Sequence, residues 1–298
     1  MNILITGSSG LIGSALVRSL EMTGNALVSL SRTPVTDGFK WDPAKGEINL
    51  PYNVTIDAVI HLAGENIARV RWSKKQKDLI RDSRIKGTQL LIDNISRLKP
   101  RPKTLLSASG IGIFGDRNAA LLNEDDQPGE GFLVDVAREW EAATRLASVV
   151  GMRVVNLRFG VVISKEGGIL KSLLPLFKCG IGAILGSGKQ YMNWVTIDDV
   201  IRAIEYLLVH ENIGGPVNIV APNPVTNREF TKTLGMVLHR PVIFKLPSWA
   251  IQAVYGEMGK VLLLTSTRAV PNRLTSSGFT FKFPYLEDGL RHVLDKAQ

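Results

Sequence analysis

The chain has 298 residues, 45% hydrophobic and 21% charged, which excludes a disordered chain and suits one or two domains with a substantial core. Its single cysteine, Cys179, excludes an internal disulfide framework and a Cys-based zinc site, and no run approaches the roughly 18 apolar residues of a membrane span. A formal charge of +9 and a sequence pI of about 9.7 point to an anionic ligand, a nucleic acid or an anionic surface, or to a basic surface that only maintains solubility.

In chain order, Asn2–Thr6 reads as a strand, Leu11–Met22 as a helix and Ala26–Ser31 as a second strand. Asp57–Leu62 is an apolar run of the kind found in strands buried on both faces. A long helix over Lys75–Leu98 ends at Lys99-Pro100. Thr104–Ala108 is a strand, Phe132–Val149 a helix and Arg153–Phe159 a strand. This alternation predicts an α/β fold with a doubly wound, Rossmann-type parallel sheet covered by helices on both faces. After Gly160, glycines and prolines cut the chain into shorter pieces. We therefore expect a nucleotide-binding domain over residues 1–160, with returning segments near 190–220. A smaller α/β substrate lobe would occupy 161–298, including a distinct C-terminal region at 247–298. The N-terminal apolar run is broken by Gly7-Ser8-Ser9-Gly10 and has no basic segment before it, so a cytoplasmic protein is expected.

Thr6-Gly7-Ser8-Ser9-Gly10-Leu11-Ile12-Gly13 follows a strand and opens a helix. In that setting Gly7 makes the tight turn, Gly10 lets a pyrophosphate approach the backbone, and Gly13 lets the helix pack on the sheet. The free N–H groups at the helix start, around Leu11 and Ile12, face the phosphates. NAD sites usually carry an acid at the end of the second strand, but here the sequence is Leu30-Ser31-Arg32-Thr33, with no acid before Asp37. Arg32 can fork onto a 2′-phosphate, with Ser31 or Thr33 adding a hydroxyl, so the expected cofactor is NADP(H).

With that turn, His61-Leu62-Ala63-Gly64 and Arg84-Ile85-Lys86-Gly87-Thr88 resemble the extended short-chain dehydrogenase/reductases, which include nucleotide-sugar epimerases and dehydratases. The sequences His61–Ile67, Arg71-Trp72, Ser83-Arg84, Gly186–Gln190, Trp194–Asp199, Val270-Pro271 and Gly278–Phe281 resemble a narrower group. This is the atypical, NAD(P)-dependent "epimerase family" with a C-terminal domain of unknown function. The resemblance spans essentially the whole chain. It implies that Leu62, Ala63 and Gly64 pass beneath the adenosine and ribose. It places Gly160 and Val161 near the nicotinamide, and Arg84 within reach of the cofactor or on a solvated helix face.

The chemistry of that group needs a Tyr, a Lys four residues later and a Ser. A register set by Glu141 puts Leu133 at the Tyr position and Ala137 at the Lys position, and neither can carry a proton. Ser109 is nearest to the family Ser and is the one catalytic candidate, against a simple hydrogen-bonding role at a strand end. Glu65, Asp116, Tyr191 and Asp198 are other candidate proton carriers, and Tyr191 could line a substrate pocket. Asp198 and Asp199 are expected to cap the helix Val200–Val209. Arg69–Lys77 holds five basic residues around Trp72 and suits a nucleic acid, a phosphate or plain solvent. His61 and Cys179 read as core residues, and Ile251–Leu264 as packing, at a subunit interface if the protein is a homodimer. The function expected is an NADP(H)-binding oxidoreductase or epimerase-like protein acting on a small molecule, without a membrane or nucleic-acid partner. The alternative is a non-catalytic NADP(H)-binding redox sensor or interaction protein.

Overall fold

The computed structural model describes residues 1–32 and 38–295, and the statements below concern those residues. The first half comprises β1 (Asn2–Thr6), α1 (Leu11–Met22), β2 (Ala26–Ser31), β3 (Phe39–Asp42), β4 (Glu47–Ile48), β5 (Ala58–His61) and α2 (Lys74–Ile95). It continues with β6 (Thr104–Gly110), a 3-10 turn (Ile111–Phe114), β7 (Leu121–Leu122), α3 (Phe132–Ala143), α4 (Arg145–Val149) and β8 (Arg153–Phe159). Then follow β9 (Val161–Ser164), α5 (Gly168–Lys178), β10 (Ala183–Leu185), β11 (Tyr191–Met192), β12 (Trp194–Thr196), α6 (Ile197–Val209) and β13 (Gly215–Ile219). The chain closes with β14 (Val225–Thr226), α7 (Asn227–Val237), β15 (Phe244–Leu246), α8 (Ser248–Gly259), β16 (Arg268–Ala269), α9 (Asn272–Ser276) and α10 (Leu286–Asp295).

An eight-stranded sheet runs β13-β8-β6-β5-β1-β2-β3-β4, parallel throughout except for the outer β3–β4 pair. This is the doubly wound sheet the alternation predicts. Successive side chains of a strand face opposite layers. Ile3 and Ile5 of β1 therefore join one core with Leu16 of α1 and Ile204 of α6. Leu4, between them, joins the other core with Leu91 and Ile95 of α2 and Ala147 of α4. A third core, around Phe177, Trp194, Phe230 and Leu290, holds the later elements together. None of the helices is long and apolar enough to cross a membrane.

Three local expectations change. The helix expected over Phe132–Val149 breaks at Thr144, whose hydroxyl bonds the Glu141 carbonyl. Thr196, rather than Asp198 or Asp199, caps α6 by accepting the Asp199 amide. Asp199 is instead buried, and its carboxylate receives the Lys282 and Phe283 amides and Arg202. Cys179 is exposed beyond the last turn of α5, where no apolar layer covers it. In Ile251–Leu264, read as packing, Ile251, Met258 and Gly259 are buried while Val254 and Tyr255 face outward.

Candidate functional site

Because β1, β5, β6 and β8 are parallel, their carboxyl ends form one edge of the sheet, where doubly wound folds bind ligands. At the end of β1, Gly7 has φ +74°, and a Cβ there would stand 2.9 Å from the Leu62 carbonyl carbon and the Ala63 nitrogen. A Cβ on Gly13 would stand 2.1 Å from the Gly7 carbonyl oxygen, so α1 rests directly on the turn. Gly10 bonds back to Gly7 at 3.0 Å and starts α1 with no side-chain cap. The first-turn amides of Leu11, Ile12 and Gly13 are thus left to an anion rather than to a capping side chain. The Leu11 side chain reaches the loop before α5, 3.1 Å from where a Gly167 Cβ would sit, so the later elements border this turn.

Ser31 closes β2 opposite Lys40, and Arg32 follows it, exposed to solvent. Thr33 and Asp37 lie outside the described residues. After β5, Leu62 and Ala63 are half-buried and Gly64 is exposed. Arg84 braces this loop from α2. It donates to the Glu65 and Ile80 carbonyls at 3.0 Å and lies over the Trp140 ring, 5.0 Å from its centre. Its guanidinium carbon would stand 3.3 Å from a Gly64 Cβ. Burial pulls the group down to about 10, so it remains a cation at neutral pH. Arg84 is therefore neither on a solvated face nor unengaged.

A buried chain of hydrogen bonds fixes the same loop. Trp140 Nε1 donates to Thr88 Oγ1 at 3.0 Å, and Thr88 meets His61 Nε2 at 2.9 Å. His61 Nδ1 meets Thr6 Oγ1 at 2.7 Å, and that oxygen accepts the Ala63 amide at 3.3 Å. His61 is indeed core, and burial pulls its imidazole down to about 4. Periodicity flags apolar faces, so it gave no sign of this polar chain. The three quoted motifs that begin at Thr6, His61 and Arg84 each supply one member of it, Thr6, His61 and Thr88, but nothing in their spacing joins them.

Ser109 is buried, and its hydroxyl donates to Glu141 Oε1 at 2.8 Å. Glu141 in turn takes a two-pronged contact from Arg158, at 2.8 and 2.9 Å. Ser109 thus belongs to a buried ion-pair cluster that ties β6 and β8 to α3. Leu133 and Ala137 lie on the face of α3 that meets the turn after β6. Leu133 Cβ is 3.6 Å from where a Gly112 Cβ would sit, and Ala137 is buried with Ile113 and Phe114. Val161 opens β9, its amide bonded to the Asn193 carbonyl at 2.7 Å. A Cβ on Gly160 would meet that same oxygen at 2.7 Å.

The basic segment is only partly solvated. Trp72 donates to the Ile67 carbonyl and packs edge-on to Phe132, while Lys77 pairs with Glu257 of α8 at 2.5 Å. Arg69, Arg71, Lys74 and Lys75 are exposed. The Glu65 amide donates to Ser83, and Asp116 accepts the Asn118 amide. Asp198 lies 3.3 Å from His292. Tyr191 lies beneath Arg268, the guanidinium 4.9 Å from its ring centre.

A doubly wound sheet with a glycine turn under an uncapped helix defines a Rossmann-type nucleotide-binding protein with a smaller second lobe. A sequence model of the NAD dependent epimerase/dehydratase family matches residues 3–220, and the chain belongs to that family. A domain of unknown function, DUF1731, matches residues 246–293. The chain is 42% identical to the epimerase family protein Mb2239 of Mycobacterium bovis over 294 residues, 98% of this chain and 97% of the relative. It is 34% identical to the human epimerase family protein SDR39U1 over 298 residues, 99% of this chain and 100% of the relative. A crystal structure of human SDR39U1 (isoform 2) with NADPH superposes with a TM-score of 0.92 at 32% identity, covering 99% of both chains.

Proposed function

We propose that this chain binds NADP(H) at the carboxyl edge of its sheet and acts as a cytoplasmic oxidoreductase or epimerase-like enzyme on a small molecule. The observation that carries this reading is the Gly7–Gly13 turn. It packs too tightly for any side chain at Gly7 or Gly13, yet leaves the first amides of α1 uncapped. The NADPH in the human relative's crystal structure supports the same cofactor. In this reading Leu11, Ile12 and Gly13 hold the pyrophosphate, and Arg32 with Ser31 holds the 2′-phosphate. Leu62, Ala63 and Gly64 lie under the adenosine ribose, with Arg84 holding their loop in place. When bound, the nicotinamide would supply hydride transfer beside Gly160 and Val161.

The second reading is a non-catalytic NADP(H)-binding sensor. It is favoured by Leu133 and Ala137 at the positions where the wider group keeps its Tyr and Lys, and by Ser109 being committed to Glu141. A screen for small carbonyl compounds and alcohols that change the redox state of the bound cofactor separates the two. Turnover supports the enzyme, and none across the panel supports the sensor.

The cofactor assignment has its own test. Arg32→Asp is expected to weaken NADPH by about ten-fold or more, the scale of a lost charge-assisted contact, and to narrow its advantage over NADH. Titration of the folded variant by nicotinamide fluorescence reads this directly. Unchanged NADPH affinity would remove Arg32 from the 2′-phosphate site.

A further inference from the structure

Six arginines other than Arg268 are withdrawn from solvent among the described residues: Arg84, Arg117, Arg153, Arg158, Arg228 and Arg273. Each donates to a carbonyl or a carboxylate. Arg268 is also half-buried, yet no described carbonyl, hydroxyl or carboxylate accepts from it, and its Nε is fully buried without a partner. A partly desolvated cation without a counter-charge, one of its N–H groups enclosed and unpaired, carries a cost that an anionic ligand would offset. What holds it is the Tyr191 ring, an attraction that leaves the guanidinium N–H fork unused.

The backbone around Arg268 is rigidly framed. Tyr191 donates its amide to Ser266 Oγ at 3.1 Å, and the Ser266 hydroxyl donates to the Asn118 carbonyl. Thr267 donates to the Gly115 carbonyl at 2.8 Å. Asn193 clamps both flanks, donating to the Thr267 carbonyl at 2.6 Å and accepting the Ala269 amide at 2.8 Å. The Asn193 carbonyl is the one that receives the Val161 amide. Thr267 and Ala269 point together toward the buried side of β16, so Arg268 points the other way. One short strand therefore joins the turn after β6, the segment after β8 and Tyr191, and presents an unpaired guanidinium at that junction.

We propose that Arg268, seated on Tyr191, is the anion-binding residue of the substrate pocket, and that the substrate carries a carboxylate or a phosphate. This deepens the enzyme reading above and rests on it. The two Nη groups of the planar guanidinium are unpaired and match either oxyanion two-pronged, whereas a neutral alcohol or aldehyde would bring no counter-charge to them.

Ligand-observed NMR tests this with acetate, methyl phosphate and neutral acetamide as probes, each titrated against the NADPH-loaded and the cofactor-free protein. At least one of the two anions is expected to bind saturably, and acetamide is not. Arg268→Gln should weaken that anion by about ten-fold or more, the size of a lost charge-assisted hydrogen bond, while leaving NADPH affinity unchanged. Arg268→Lys should keep part of the affinity. Tyr191→Phe, which retains the ring, should keep most of it. Equal anion binding by wild type and Arg268→Gln, or no anion binding by wild type, would overturn the proposal. So would loss of NADPH affinity in step with the anion, because that would make Arg268 structural. Failure of wild type to bind NADPH would instead sink the cofactor reading, and the cofactor-free titrations would still decide the anion site.

Discussion

Gly13 has no space for a methyl group, because the Gly7 carbonyl oxygen lies 2.1 Å from where the methyl would go. Gly13→Ala must push α1 off the turn, at an expected cost of about 1–3 kcal/mol, the usual range for overpacking. Gly10 differs, since its added Cβ would stand 3.3 Å from that oxygen and meet nothing else within 4 Å. Gly10→Ala is therefore expected to leave the melting temperature nearly unchanged but to weaken NADPH, because its methyl would enter the space proposed for the phosphates. Denaturant melts and cofactor titrations on the two variants separate packing from binding. The Arg158–Glu141 pair is also a residue-scale matter, with side chains only 7% and 14% exposed. Arg158→Met leaves the Glu141 carboxylate with Ser109 as its remaining side-chain donor, and should cost about 3–5 kcal/mol in equilibrium unfolding. Loss below 1 kcal/mol would mean that solvent reaches Glu141 more freely than its burial indicates.

At the scale of elements, the Trp140–Thr88–His61–Thr6 chain ties α3, α2, β5 and β1 to the loop that begins at Ala63. Its pH response follows from the imidazole, whose folded value of about 4 lies below the ordinary 6.5. As pH falls below about 6.5 the unfolded chain takes up a proton that the folded chain refuses. Stability should therefore drop between about pH 6.5 and 4, by at most about 3 kcal/mol. His61→Asn should flatten that part of the stability profile; an unchanged slope would show that other groups set it. The elements themselves were largely legible: β1, α1, β2 and β8 match the ranges expected from hydrophobic pattern and breakers. The misses have local causes. β3 and β4 are short edge strands, flanked by turns and too brief for a periodic signal. The split between α3 and α4 depends on one threonine hydroxyl, and the cap of α6 on Thr196 rather than the acids beside it.

Across the whole molecule, the sheet order puts β1 at the centre, and its carboxyl edge gathers the glycine turn, the Leu62–Gly64 loop and the Gly160–Val161 segment. The glycine turn was legible in the residues themselves, whereas the other two segments were implied by the family resemblance of the motifs around them. The Arg268 junction left no mark in the sequence, because β16 is two residues long and its partners lie more than seventy residues away. Leu11 beneath the α5 loop and Lys77 against α8 join the first half of the chain to the second. The most direct test of this account is a titration of the purified protein with NADPH and NADH in parallel, read by nicotinamide fluorescence. The account predicts saturable binding of NADPH with a clear preference over NADH. Binding of neither, or a preference for NADH, would contradict it.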